Sequence, residues 1–252
     1  MKISETHQSD FWAPPPRNDH TQPHCPEPEP PTLIDRLDGV EWLISRELVP
    51  YPFSLSFMEN RVEDIYASRK PDTVWLLEHP PLLTAGTSAK ADELLSADTL
   101  PVYPSGRGGR YTYHGPGQRV AYVMLDLRKR GSDVRAFVCA LENWLIATLA
   151  ELGIQGERRA DRIGVWVSDE NGTESKIAAL GIRVRRWISF HGVALNLAPN
   201  LSHFENIIPC GLSGYSVTSL EKLGRPTTLE ELDRVLIHNF ATTVGKLNTA
   251  PD

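Results

Sequence analysis

An α/β (α+β) fold, with helices packed on a mixed and mostly antiparallel sheet, is what this sequence predicts. Two apolar runs, residues 163–167 and 177–184, flank Asn171-Gly172, a dipeptide that favours the tight turn of a hairpin. A further run, 188–197, meets the second around Arg185-Arg186, which continues a meander rather than a doubly wound parallel sheet. Elsewhere apolar residues recur at helical spacing.

Taken in order, the chain opens with 31 residues rich in proline, including PPP at Pro14 to Pro16 and PEPEPP at Pro26 to Pro31. Such a segment buries too little apolar surface to offset its lost chain entropy, so residues 1–31 are expected to be a disordered extension, with a polyproline II docking segment as the alternative. His20, His24 and Cys25 within it match no tetrahedral metal pattern. Residues 32–252 read as a single domain, without internal repeat or linker. Met58, Val62, Ile65 and Tyr66 form a first helical stripe, and strands are expected at 74–77 and 120–127. Val134, Phe137, Val138, Leu141, Trp144, Leu145, Leu149 and Leu152 form a second stripe, in which Cys139 reads as a small buried hydrophobe. A third helix is predicted from Thr228, where Glu231 completes a capping box ahead of Leu232, Val235, Leu236 and Phe240.

Composition narrows the function classes. At 252 residues and 40% hydrophobic, the chain can bury a sizeable core without staples. Three cysteines, an odd number at unrelated spacings, argue against a disulfide framework and for a reducing compartment, so the cytoplasm is the expected address. A net charge of -6 disfavours nucleic acid as a partner. The basic runs Arg158, Arg159, Arg162 and Arg183, Arg185, Arg186 read as solvated faces, with an acidic protein partner as the alternative. No apolar run is long enough to span a membrane, and the N-terminus lacks the order of a secretory signal.

Residues 107–118, RGGRYTYHGPGQ, hold four glycines and a proline, which interrupt regular hydrogen bonding and mark a binding loop. The loop is not GxGxxG, and the chain has no GxxxxGK[ST], no HExxH and no GxSxG, since Ser213 lies in GLSGY. His79, His114, His191 and His203 are too scattered in sequence to propose a zinc site. Cys210, between Pro209 and Gly211, reads either as a buried structural thiol or as a sulfur presented at a pocket wall. Lys176 opens the strand Ile177-Ala178-Ala179-Leu180-Gly181, and an ammonium placed near a thiol stabilises the reactive thiolate.

The loop at 107–118, the segment SKIAALGIRVRRWISFHGVALNL at 175–197, FENIIPCGLSGYSVTSL at 204–220 and EHPPLLTAGTSA at 78–89 together resemble the lipoyl(octanoyl) transferases. The resemblance runs from about Trp42 to about Leu220. It implies the fold of the biotin and lipoate protein ligases and an acyltransferase without cofactor. The implied donor is octanoyl-acyl carrier protein; the implied acceptors are lysines of lipoyl domains in 2-oxoacid dehydrogenases and the glycine cleavage H protein. Carried over by position, Cys210 matches the acyl-thioester nucleophile and Lys176 the lysine that lowers its pKa. Arg107, Gly108, Gly109, Arg110, Tyr111, Thr112, Tyr113 and His114 match the substrate loop. Ala179, Leu180 and Gly181, with Gly192, Val193 and Ala194, match the other segments lining the acyl site. Beside them, His79 and His114 read either as groups that orient polar atoms there or as structural hydrogen-bond partners. A monomer is the simplest expectation. Two other readings stay open: an ATP-dependent lipoate ligase, which would release pyrophosphate, and a non-catalytic acyl-binding module, which would bind carrier without transfer.

Overall fold

The computed structural model describes residues 28–96, 99–160, 162–208 and 216–247. The expected N-terminal extension lies outside the described residues as far as 27, and regular structure begins at Thr32. Strands β1 (Thr32–Leu37) and β2 (Val40–Leu48) pair antiparallel, and helix α1 (Tyr51–Tyr66) crosses over to β3 (Asp72–Glu78), which runs parallel to β2. A small second sheet holds β4 (Leu82–Ala85), β5 (Val102–Pro104) and β6 (Tyr111–His114). There follow β7 (Gln118–Met124), α2 (Val134–Glu151), β8 (Glu157–Arg159), β9 (Arg162–Ser168), β10 (Glu174–Arg185), β11 (Ile188–Asn196), β12 (Ser216–Val217) and α3 (Leu229–Thr242).

Among the described residues the main sheet has the order β1-β2-β3-β7-β11-β10-β9-β8, with β12 beside the start of β10. Only β2–β3 and β10–β12 pair parallel there, so the expected mixed, mostly antiparallel sheet is the one that forms. Alternation along β3 and β7 gives the sheet two apolar faces. Val74, Leu76, Ala121 and Val123 pack toward α2 and α3, whereas Trp75, Leu77, Val120 and Tyr122 pack toward Met58, Val62 and Ile65 of α1. The buried pair Arg119–Asp233 ties β7 to α3 through two hydrogen bonds, 2.7 Å at Nε and 2.5 Å at Nη2. No helix of the described residues is long and apolar enough to cross a membrane.

Several expectations need correction. Cys139 is exposed, because two residues from Phe137 and two from Leu141 place it on the opposite side of α2. Tyr66 is 39% exposed at the end of α1, its ring covered by the guanidinium groups of Arg128 and Arg186. The hairpin at Asn171-Gly172 is no two-residue turn: Asp169 and Thr173 close it, Gly172 alone is left-handed at φ 78°, and Asp169 Oδ1 accepts from the amides of Asn171 and Thr173. The tight turn falls instead at Arg186 and Trp187, both left-handed, between the paired Arg185 and Ile188. The strand expected at 120–127 stops at Met124, where Asp126 caps a short 3-10 turn over Leu127–Arg130. Within the glycine-rich loop, Tyr111–His114 is a strand after all, since β4 supplies the backbone partners that local sequence cannot.

The basic runs are largely neutralised at home. Glu174 receives both Arg159 and Arg162, and Glu63 receives both Arg185 and Arg186.

Candidate active site

The loop 107–110 lies over the sheet and is held by backbone hydrogen bonds. Thr87 N donates to Arg107 O at 3.0 Å, Ser88 N to Gly109 O at 3.0 Å, and Gly108 N to Ile182 O of β10 at 3.0 Å. Missing side chains make the close approach feasible. A Cβ on Gly181 would sit 2.7 Å from Arg107 Cδ, and one on Gly86 would sit 2.2 Å from Gly109 O. Facing Gly181 across the ladder is Gly192, where a Cβ would meet Ala121 O at 2.1 Å.

Between loop and sheet runs a cleft of about 600 Å³, open mouth included. Of the residues singled out from sequence, Arg107, Gly109, Arg110, Tyr111, Thr112 and His114 line it from the loop, Lys176, Ala179, Leu180 and Gly181 from β10, and Gly192, Val193 and Ala194 from β11. Gly108 does not line it. Tyr113 turns away to pack with Leu83, Phe204 and Ile207. His79 sits behind the wall, and Cys210 lies outside the described residues. Tyr51, Thr84, Val120, Tyr122 and His191 also line the cleft, though sequence reasoning did not place them there.

Lys176 sits at the start of β10, flanked by Trp166 of β9 and Val217 of β12. Its Nζ donates to Ile163 O at 2.9 Å and lies 4.9 Å from the Trp166 ring centroid, a cation–π distance. The space for its stem comes from Gly164, at φ 127°, where a Cβ would meet Lys176 Cε at 2.9 Å and Nζ at 3.1 Å. The described chain breaks off after Ile208, whose amide donates to Glu93 O, and resumes at Ser216, paired with Ser175 beside Lys176.

A polar relay runs beneath the cleft. Arg107 Nη2 donates to Thr84 Oγ1 at 2.7 Å, Thr84 Oγ1 and His114 Nε2 are 3.4 Å apart, and His114 Nδ1 is 2.7 Å from Gln118 Oε1. Gln118 Nε2 donates to Asn196 Oδ1 at 2.9 Å, Asn196 Nδ2 donates to Thr218 O at 2.9 Å, and Thr218 N donates to Lys176 O at 2.9 Å. Arginine only donates and a carbonyl only accepts, so both ends fix the direction, and His114 carries its proton on Nδ1.

Burial keeps the histidines here neutral. It holds His114 well below its ordinary range, helped by His79 and Arg107, and lowers His79 to about 4. His79 Nδ1 donates to Val49 O at 2.5 Å, which leaves its Nε2 bare to accept the Tyr122 hydroxyl at 2.7 Å. Burial, then Arg107 and Arg183, lowers His191 to about 3. Among the described residues no three His, Cys, Asp or Glu side chains cluster as a metal site would require.

Residues 50–241 match the family described as Lipoyl protein ligase A/B catalytic domain. A protein of Cereibacter sphaeroides named Octanoyltransferase is 57% identical over 213 residues, 81% of this chain and 98% of its own length. Another so named, from Chelativorans, is 54% identical over 88% of this chain and 90% of its own. In structure, a bipartite lipoate protein ligase of Thermoplasma acidophilum superposes with a TM-score of 0.62 at 15% identity, over 80% of this chain and 83% of that one. A lipoate-protein ligase A bound with ATP gives 0.62 at 14%, over 80% and 85%. At such identities the structural likeness establishes the fold alone, and it is the lipoate-ligase fold that the sequence implied.

Proposed function

Because this chain belongs to the octanoyltransferases of the lipoyl protein ligase A/B catalytic-domain family, we propose that it moves an octanoyl group from acyl carrier protein to a lysine of lipoyl domains, through a thioester on Cys210. In this reading it is a monomeric cytoplasmic enzyme without cofactor, and its acceptors are lipoyl domains of 2-oxoacid dehydrogenases and the glycine cleavage H protein. One observation carries it: the loop, the two small-residue strand segments and Lys176, separate in sequence, line one cleft.

The chemistry balances without ATP. The Cys210 thiolate, paired with the Lys176 ammonium, attacks the donor thioester carbon, and the departing pantetheine sulfur takes the Lys176 proton. Exchange between two thioesters is close to even in energy. The neutral Lys176 amine then accepts the proton released as the acceptor lysine attacks the acyl-enzyme, and expulsion of the Cys210 thiolate restores the pair. Ser216 beside Ser175, six residues beyond Cys210, supports a sulfur within reach of Lys176. Ala179, Gly181, Gly192 and Ala194 would let the acyl chain lie against backbone, and His114, held on one tautomer, would present a fixed edge to the loop side.

Incubation with octanoyl-acyl carrier protein followed by intact mass spectrometry tests this. The expected result is an octanoyl adduct that hydroxylamine removes and Cys210→Ser abolishes. Octanoylated lipoyl domain formed from octanoate and ATP, with pyrophosphate released and no adduct, would overturn it.

A further inference from the structure

The floor of the cleft changes character along its length. On the face of the sheet that the loop covers, β11 offers Ala194, then Gly192, then Phe190, and their ladder partners on β10 are Ala179, Gly181 and Arg183. Small side chains give way at the third rung to a buried ring with the Arg183 guanidinium 5.2 Å over its centroid. The ladder between β11 and β7 ends at the second rung, where Gly192 faces Tyr122. His191, left-handed at φ 61° where that ladder stops, adds its ring to the cleft wall. The groove is therefore open over two rungs and closed at the third.

Arg107 crosses the groove at the second rung. Its stem rests on Gly181, where an added Cβ would lie 2.7 Å from Cδ, and its guanidinium is anchored on Thr84, with Nη2 donating to Oγ1 at 2.7 Å and to the carbonyl at 3.0 Å. Arg107 is 8% exposed, so pushing it off Thr84 strips acceptors from a buried cation, a cost that outweighs the gain from burying two further methylenes. The length available fits one acyl group. Asn196 marks the reacting end, since Thr218 joins it to the Lys176 backbone. Gly192 lies four residues from it along β11, about 13 Å at strand rise. An extended acyl chain advances about 1.25 Å per carbon for C–C bonds of about 1.5 Å, so octanoyl spans roughly 9 Å from carbonyl to methyl, or about 11 Å with the thioester sulfur. Its methyl stops short of Arg107, whereas a dodecanoyl chain reaches about 5 Å further and runs into it.

We propose that Arg107 sets the upper limit of acyl length, its side chain acting as the end stop of the groove. This rests on the acyl-transfer reading above, and the experiment separates the two. Transfer to a lipoyl domain is measured as kcat/KM with acyl carrier protein carrying hexanoyl, octanoyl, decanoyl or dodecanoyl chains. Wild type is compared with Arg107→Ala, which removes the stop, and with Gly181→Ala, whose methyl fills the floor beneath it, and circular dichroism verifies folding. Wild type is expected to favour octanoyl over dodecanoyl by at least about tenfold. Arg107→Ala should raise the dodecanoyl-to-octanoyl ratio about tenfold, and Gly181→Ala should move the preference the other way, lowering the octanoyl-to-hexanoyl ratio about fivefold. A merely structural role for Arg107 would slow every chain length alike. Folded variants that lose rate evenly, or a wild type that takes dodecanoyl as readily as octanoyl, overturn the end stop while leaving acyl transfer standing. Should Arg107→Ala fail to fold, Gly181→Ala decides alone. With no transfer of any chain by wild type, both readings fall.

Discussion

Gly164→Ala tests whether the placement of Lys176 controls rate. At φ 127° the position suits glycine alone, so an added methyl strains the backbone by about 1–3 kcal/mol. The methyl would also sit 2.8 Å from Ala178 O, 2.9 Å from Lys176 Cε and 3.1 Å from Nζ. The carbonyl belongs to the ladder and cannot yield cheaply, whereas the lysine stem can, so Lys176 moves. A displacement near 1 Å at a reacting group costs on the order of 10²-fold in rate. Strain of roughly 3 kcal/mol lowers Tm by about 6–12 °C in a chain of this size. Gly172→Ala supplies the control: it too is left-handed, at φ 78°, but an added Cβ meets nothing within 4 Å. Both variants are measured for melting temperature and for octanoyl transfer to a lipoyl domain at a temperature where both are folded. The expected pattern is destabilisation in both and a hundredfold loss of kcat/KM only in Gly164→Ala. Full activity in a folded Gly164→Ala would refute the claim that this glycine positions the lysine for catalysis.

Asp233→Ala should cost about 3–5 kcal/mol in urea unfolding, because it leaves the Arg119 guanidinium buried without its carboxylate; a loss under 1 kcal/mol would show that Arg119 finds water instead. Stability should also fall with acid before carboxylates titrate. His79, His114 and His191 have folded pKa values below the ~6.5 of an unfolded histidine, so the unfolded chain takes up protons that the native chain refuses. Their contribution is whole above that unfolded value and is lost as pH falls toward about 4 for His79 and about 3 for His191, at roughly 1.4 kcal/mol per pH unit for each group. Urea midpoints at pH 7 and pH 5 check this, and equal midpoints would contradict neutral burial.

The parts of the fold legible in sequence are those whose pattern one element settles alone. Val74–Leu77 of β3 and Val120–Met124 of β7 are buried on both faces, so they read as unbroken apolar runs, and α2 repeats its apolar residues over many turns. The small sheet was illegible because its strand at Tyr111–His114 lies between glycines and owes its hydrogen bonds to Leu82–Ala85, far upstream in the sequence. At the cleft, motif order carried the loop and the small residues of β10 and β11. Tyr122 and His191 escaped because their roles depend on which side of the sheet faces the loop, and for His191 on a backbone reversal that a β-branched, aromatic stretch does not announce. Lys176 was visible as a residue; the gap left for it by Gly164, on another strand, was not.

The direction of the relay beneath the cleft bears on how the pieces move together. Each member from Thr84 to Asn196 has its donors and acceptors assigned by its neighbours, so no member can reverse without leaving a buried group unpaired. Its first member, Arg107, belongs to the loop that covers the cleft, and its last, Thr218, follows β12 and binds the backbone of Lys176. Lifting the loop breaks the Arg107–Thr84 contact and frees the Thr84 hydroxyl to turn, whereas Gln118, oriented by Asn196 and the Tyr113 carbonyl, still holds the His114 proton on Nδ1. A substrate that seats the loop fixes the Thr84 hydroxyl through Arg107, and the remainder of the chain of bonds steadies the strand that carries the lysine.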